Sequence, residues 1–160
     1  VAFFITDITN RRYGPQKARW IVFAGFIVAV FLSIWFATPR IAIASGTAFL
    51  TAQLIDVTIF SKLRNSKWWK APLISSSIGS VIDTIIFFSI AFSASFVFFG
   101  SNDDFALSQI SFFGMDFIQV PRWFSWAVGD LVVKFIVALA LLFPFAMIRN
   151  KIGVWKEFKI

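Results

Sequence analysis

"IAIASGTAFLTAQLIDVTIF" (41–60) is twenty residues of almost unbroken apolar character, interrupted by Gln53 and Asp56. Twenty residues of α-helix cross a hydrocarbon core of about 30 Å. The stretch therefore reads as a membrane span with a carboxylate inside it, and that reading sets the fold class: an all-α, polytopic transmembrane helical bundle. The remainder of the chain agrees. Of 160 residues 59% are apolar, 23 are Phe, and the mean hydropathy is +0.82. A soluble domain is nearer 45–50% apolar.

The chain reads as a single transmembrane domain over 1–160. A partial helix at 1–9 precedes spans at about 20–37, 41–60, 71–99 and 124–148. An outer loop (100–123) and a basic inner tail (149–160) complete it. The third span exceeds one bilayer crossing, so it is expected to tilt or to leave the membrane before its end. No basic region followed by an apolar stretch and a cleavage site marks a signal peptide. Val1–Ile8 is expected to be the tail of a helix that begins outside this chain.

Charge placement fixes an orientation. Twelve of the fifteen basic residues fall in three segments, 10–19, 61–70 and the tail 149–160. The loops between these segments hold only Arg40 and Arg122, with Asp103, Asp104 and Asp116 in the longer one. The positive-inside rule puts the three basic segments and the C-terminus in the cytoplasm. The net charge of +7 is thus a topology signal, and no nucleic-acid partner is expected. Trp20, Trp68 and Trp69 fall at the inner interface and Trp35, Trp123 and Trp126 at the outer one, as an aromatic belt requires. The tail is expected to lie along the inner interface through Ile152, Trp155 and Phe158. The outer loop reads as a partly interfacial segment, either a lid over an outward cavity or a plain connector.

There is no histidine and no cysteine. Disulfides, Cys–His and Ser–His–Asp chemistry and zinc sites have no material, so neither an enzyme nor a cofactor is expected. Chemistry must come from polar residues in the spans. A charge at the bilayer centre costs about 2.5–3.5 kcal/mol on insertion scales, so such residues face a bundle interior. Asp83, about twelve residues into its helix, sits near the midplane with no partner on its own helix. Asp56 is one turn from the inner end, with Gln53 on its face. It reads either as functional or as a partner for Lys62 or Arg64. Asp130 and Lys134, spaced i, i+4, read as an internal salt bridge in the outer half of the last helix. Asp7 and Arg11 have the same spacing at an inner boundary. Arg40, beside Pro39, reads as an interfacial snorkelling residue or as a cavity-mouth cation. "SSSIGS" (75–80) and "ASGTA" (44–48) put small residues on helix faces, for close packing first and hydroxyl lining second. They also make a homodimer plausible. Carboxylates, an amide and aromatic faces in one bundle suit a small, planar, hydrogen-bonding solute.

"TDITNRRYG" (6–14), "RIAIASGTAFLTAQLIDVTIF" (40–60), "WWKAP" (68–72), "GSVIDTIIFFSIAF" (79–92) and "GDLVVKFIVALALLFPF" (129–145) resemble the queuosine precursor transporters, the VUT family. The resemblance covers most of the chain and is weakest in the outer loop. It implies a bacterial inner-membrane protein with a six-helix fold similar to the substrate-binding subunits of energy-coupling-factor transporters. The first helix and part of the second are then absent from this chain. It also implies import of 7-cyano-7-deazaguanine or 7-aminomethyl-7-deazaguanine for tRNA modification, with lipid as the other partner. On this resemblance Asp56 or Asp83 accepts the N1–H and 2-amino donors of the base, Gln53 completes that edge, Asp130 and Lys134 gate, and Arg40 neutralises an acid. Asp7 joins them as a candidate substrate-binding residue. Two alternatives stand beside this reading. One is a substrate-capture subunit that needs a separate ATPase, since the chain has no P-loop. The other is an intramembrane aspartyl hydrolase, weakened by the expectation that Asp83 and Asp130 lie at different depths.

Overall fold

The computed structural model describes residues 1–112 and 114–154, the side chain of Asp116 excepted. Helix α1 (Ala2–Tyr13) runs on past the expected partial helix and ends at Gly14, whose φ of 85° is a left-handed conformation that glycine tolerates. Pro15 then opens α2 (Pro15–Phe36) at a position where its missing N–H costs nothing. Thr38 caps α3 (Pro39–Leu63) by accepting from the Ile41 N–H at 3.4 Å, again with proline in the first turn. Helix α4 covers Lys70–Phe92. The expected third span to Phe99 is thereby shortened: Ser93 has extended backbone angles, and Ala94–Phe99 is a 3-10 segment.

The outer loop holds structure that its sequence did not announce. Asp103 caps a single helical turn, α5 (Asp104–Leu107), by accepting from the Phe105 and Ala106 N–H groups at 3.0 and 3.1 Å. Strands β1 (Gln109–Phe112) and β2 (Met115–Pro121) follow as an antiparallel pair, with Ile110 opposite Val120 and Gln119 opposite Ser111. The last helix, α6 (Arg122–Arg149), is tied to this loop at its first residue. The Arg122 N–H donates to the Ser108 carbonyl at 2.9 Å, and its guanidinium lies 4.0 Å from the centre of the Phe105 ring. Trp155 and Phe158, on which the interfacial reading of the tail rests, lie outside the described residues, as do Lys156 and Lys159.

Four helices, α2, α3, α4 and α6, are long and apolar enough to cross a membrane. They differ sharply in burial. The most apolar stretch is 44% buried in α3, 28% in α4 and only 6% in α2 and in α6, which makes α3 the centre and turns α2 and α6 outward. Exposed Phe31, Trp35, Ile136 and Phe143 are then lipid-facing residues rather than defects.

The centre is built from small side chains. Arg40, Ala44, Ala48, Ala52, Asp56 and Phe60, every fourth residue of α3, are all buried. At that spacing they form one stripe along the helix. Facing α4 offers Ala71, Ser75, Ser76, Gly79 and Ser80, also buried. Helix α1 enters the groove between them: a Cβ on Gly79 would lie 2.8 Å from the Phe3 ring and 3.4 Å from the Ala52 carbonyl oxygen. Pairing sums fix the directions. Asp7 meets Ser75 and Ser76 while Phe3 meets Gly79, so α1 and α4 are antiparallel. Thr6 meets Gln53 and Asn10 meets Val57, so α1 and α3 are parallel. The basic segments consequently fall at one end of the bundle.

Gly79→Val is expected to destabilise the protein by about 1–3 kcal/mol, because the ring it strikes is wedged between two helices. Gly129→Ala, whose new methyl meets nothing within 4 Å, should be neutral or slightly stabilising. Thermal unfolding of the two variants in detergent, side by side with the parent, checks both.

Candidate functional site

Close packing of α1, α3 and α4 buries a seam of polar groups. Thr6 donates to Gln53 Oε1 at 3.0 Å. Asn10 donates from Nδ2 to the Val57 carbonyl at 2.9 Å and to Ser61 Oγ at 3.0 Å. Between these two rungs lies Asp7, 2% exposed, which accepts from Ser75 Oγ at 3.5 Å and Ser76 Oγ at 3.4 Å. The Asp7 carboxyl adjoins that of Asp56. Asp56 is wholly buried, and neither of its oxygens has a hydrogen-bond partner. The two ion-pair readings are therefore corrected: Asp7 turns away from Arg11 towards α4, and Asp56 pairs with neither Lys62 nor Arg64.

Asp7 also opens on a cavity of about 130 Å³ between α1, α4 and α6. Its wall is mostly apolar (Phe3, Phe4, Val137 and Leu141 among others), with Asp7, Ser76, Ser80 and Lys134 as its polar points. A dry cavity of about 150 Å³ holds a benzene ring, so the space is of the order of a small planar solute. Gln53 and Asp56 stand behind Asp7 and are not on this wall.

The second polar cluster joins α4 to α6. Lys134 Nζ lies 2.7 Å from Asp83 Oδ2 and 3.0 Å from Thr84 Oγ1, and it also contacts Asp130 Oδ2. Thr84 in turn donates to Asp130 Oδ2 at 2.7 Å. Asp83 thus has its partner on another helix, which spacing along α4 does not reveal. Both carboxylates share one ammonium, so Asp83 and Asp130 sit at one level. The expected difference in depth is wrong, because α4 ends at Phe92 rather than Phe99: Asp83 is then nine residues from the outer end of α4 and Asp130 eight from that of α6. The hydrolase reading gains nothing from this, since the ammonium binds both acids.

Arg40 is neither snorkelling nor neutralising an acid. It is 4% exposed, and its guanidinium donates to the carbonyls of Ile90, Ser93, Gly100 and Ser101 and to Asn102 Oδ1 at 2.5–3.3 Å. Five acceptors left over by the end of α4 and by the segment after it converge on one planar fork. A separate cavity of about 570 Å³ opens beside Arg40, walled in part by Gly100–Asp103, which is as far as the outer loop resembles a lid.

Reading along the sequence missed Thr6, Asn10 and Thr84 as members of these clusters, and it gave Ser75, Ser76 and Ser80 hydroxyl lining only as a second role after packing. The available signal was spacing: Thr6, Asp7 and Asn10 share a helix face, and so do Ser76, Ser80 and Thr84. Among the described residues no group of three or more His, Cys, Asp or Glu is placed to hold a metal ion.

A family model described as "Putative vitamin uptake transporter" matches residues 30–148, which include α3, α4, α6 and the loop between. The chain belongs to this vitamin uptake transporter (VUT) family. Its relatives include a "Probable queuosine precursor transporter" of Haemophilus influenzae, 40% identical over 111 residues, 56% of this chain and 47% of the relative. The "Queuosine precursor transporter" of Escherichia coli is 29% identical over 163 residues, covering 89% of this chain and 65% of the relative. A "Probable queuosine precursor transporter" of Bacillus subtilis is 29% identical over 118 residues, 56% of this chain and 52% of the relative. The chain thus spans about half to two thirds of the length of these curated relatives. No solved structure matches it. The chain is a multi-pass membrane protein of a transporter family.

Removing the ammonium from the α4–α6 cluster leaves two carboxylates facing each other. Lys134→Met is expected to lower the melting temperature by several degrees or more, whereas the triple change Asp83→Asn, Lys134→Met, Asp130→Asn should recover most of that loss. Scanning fluorimetry on the two purified variants distinguishes them. Equal stability would mean that the cluster is solvated and indifferent.

Proposed function

We propose that the chain is part of a bacterial inner-membrane importer of 7-deazaguanine precursors of queuosine, the 7-cyano and 7-aminomethyl bases, with its basic end in the cytoplasm. The complete transporter has the six-helix architecture of energy-coupling-factor substrate subunits. Three relatives named as queuosine precursor transporters, two of them as probable ones, support the class. The observation that carries it to a site is Asp7, a buried carboxyl on the wall of an otherwise apolar cavity inside a membrane bundle.

The chemistry fits the base at both ends. A guanine-like edge presents N1–H and the 2-amino group side by side, and a carboxylate accepts both. Asp7 keeps capacity for this because its own serine contacts are long, at 3.4–3.5 Å. Ser80, one turn further along α4, offers a hydroxyl to the O6 side, and Phe3 and Phe4 offer ring faces to the bicycle. Lys134, which bonds Thr84, closes the polar side of the wall about 12 Å along α4 from Ser76. A bicyclic base with a hydrogen bond of about 3 Å at each end fills that length. Its 7-substituent then points at the Asp83–Lys134–Asp130 cluster, so this cluster lies where the nitrile and the aminomethyl group differ.

Asp7→Asn puts amide hydrogens where the base also presents hydrogens. In a strain unable to make either precursor, uptake of the labelled bases by the complete transporter is expected to fall at least about 100-fold at unchanged membrane abundance. Uptake within twofold of the parent would remove Asp7 from the site.

A further inference from the structure

Asp56 is left unexplained by the substrate reading. It is wholly buried, it is not on the cavity wall, and neither carboxyl oxygen has a partner. Each element packed against it fails to supply a counter-charge. Helix α1 presents another acid, Asp7, flanked by uncharged Thr6 and Asn10. Helix α4 presents Ser75. Helix α2 packs beside it through Ala18 and Val22. The half-buried Lys134 and the buried Arg40 are committed elsewhere: Lys134 to Asp83 and Asp130, and Arg40, sixteen residues back along α3, to the outer carbonyls. Two carboxylates in contact away from water cannot both remain charged, so a small cation must reside between them. A metal ion needs about six oxygen ligands and the room for them. The pair has the hydroxyls of Ser75 and Ser76 beside it, but Asp56 is wholly enclosed, and a proton needs no room.

We propose that Asp56 carries a proton across the membrane together with each molecule of base taken up at Asp7. The inference rests on the reading of Asp7 as the acid that receives the base. Ordering follows from the pair. The donor edge of the base requires Asp7 as a carboxylate, so the proton that the pair holds must then sit on Asp56. Base bound at Asp7 and proton bound at Asp56 thus favour each other. The proton enters from the cavity side through Asp7. It leaves Asp56 towards the basic end, the side on which Asn10 and Ser61 continue the polar seam about 7 Å further. One proton is taken from water on the outer side and returned to water on the inner side. No bond to the base forms or breaks.

The test uses the complete transporter in liposomes with a pH dye inside and labelled 7-cyano-7-deazaguanine outside. Influx of base into vesicles without a pre-set pH gradient should acidify the lumen, and an acidic exterior should drive accumulation above the external concentration. Asp56→Asn should exchange labelled for unlabelled base within about twofold of the parent rate, yet neither accumulate it nor acidify the lumen. Asp56→Glu should restore both. Parent influx without acidification, accumulation driven by a sodium gradient instead, an Asp56→Asn protein that still accumulates, or one that folds but has lost exchange would each overturn the proposal. Should Asp56→Asn fail to fold, parent acidification still decides. Absence of exchange in the parent itself would fail differently, since it would remove the base as substrate.

Discussion

The close approach of three helix backbones governs this structure. In lipid there is no hydrophobic drive to bring helices together, and a polar group that finds no partner has no water to fall back on. Gly79, with no side chain, lets Phe3 of α1 come against α4 beside the Ala52 carbonyl. Ala44, Ala48 and Ala52 do the same for α3. Only at such distances can short side chains such as Ser75, Ser76, Thr6 and Asn10 reach across to a neighbouring helix. A wider bundle would leave each of them facing hydrocarbon. Packing and polarity are therefore one feature: the small residues that bring the helices together are the reason the acids can be buried.

What sequence reasoning recovers follows from which forces are local. Span length is a property of a segment and its solvent, and the four helices long and apolar enough to cross a membrane are the four that read as spans along the sequence. Helix α4 stops at Phe92 although apolar residues continue, because the buried Arg40 draws the carbonyls of Ile90 and Ser93 to itself. That contact spans fifty residues and has no local signature. The β1–β2 pair escaped notice for a related reason. Its residues alternate only weakly, and pairing rather than periodicity holds them.

The candidate site shows the same division. Asp7, Asp56, Asp83, Asp130 and Lys134 could be named from the cost of placing them in a membrane, which any one residue reveals by itself. Who meets whom could not. Asp83 found Lys134 because α4 and α6 run antiparallel with a particular offset, and Asp7 found Asp56 because α1 and α3 run parallel. Spacing arguments look along one helix, so they proposed Arg11 for Asp7 and depth separation for Asp83 and Asp130, and both fail. The hydroxyls of 75–80 came second to packing and Thr6 and Thr84 went unread, since a hydroxyl in a membrane helix is cheap enough to need no explanation.

The two acid clusters differ in a way that bears on movement. The α1–α3–α4 seam is sealed by side chains of a few atoms, so any separation of these helices exposes several orphaned polar groups at once. Helix α6 is attached otherwise. It is largely exposed along its length; below the Trp126–Phe92 ring contact at its outer end, 5.8 Å between centres, it meets the centre through the ion cluster at Lys134 and, nearer the basic end, through Phe145 against Phe60, with ring centres 6.3 Å apart. Between those two attachments its residues Val137, Ala138, Leu141 and Leu142 form the outer wall of the Asp7 cavity. The wall is apolar and the acids behind it are not; among the described residues α6 is hydrogen-bonded to the rest of the chain at this cluster and, at its first residue, to Ser108 of the outer loop. Lys134 is held by two carboxylates, and the three side chains are about a quarter to a third exposed, so the cluster is less enclosed than the Asp7–Asp56 seam. A rigid polar seam and a loosely hung apolar wall are what a cavity needs if it is to bind a solute at a fixed edge and release it past a moving one.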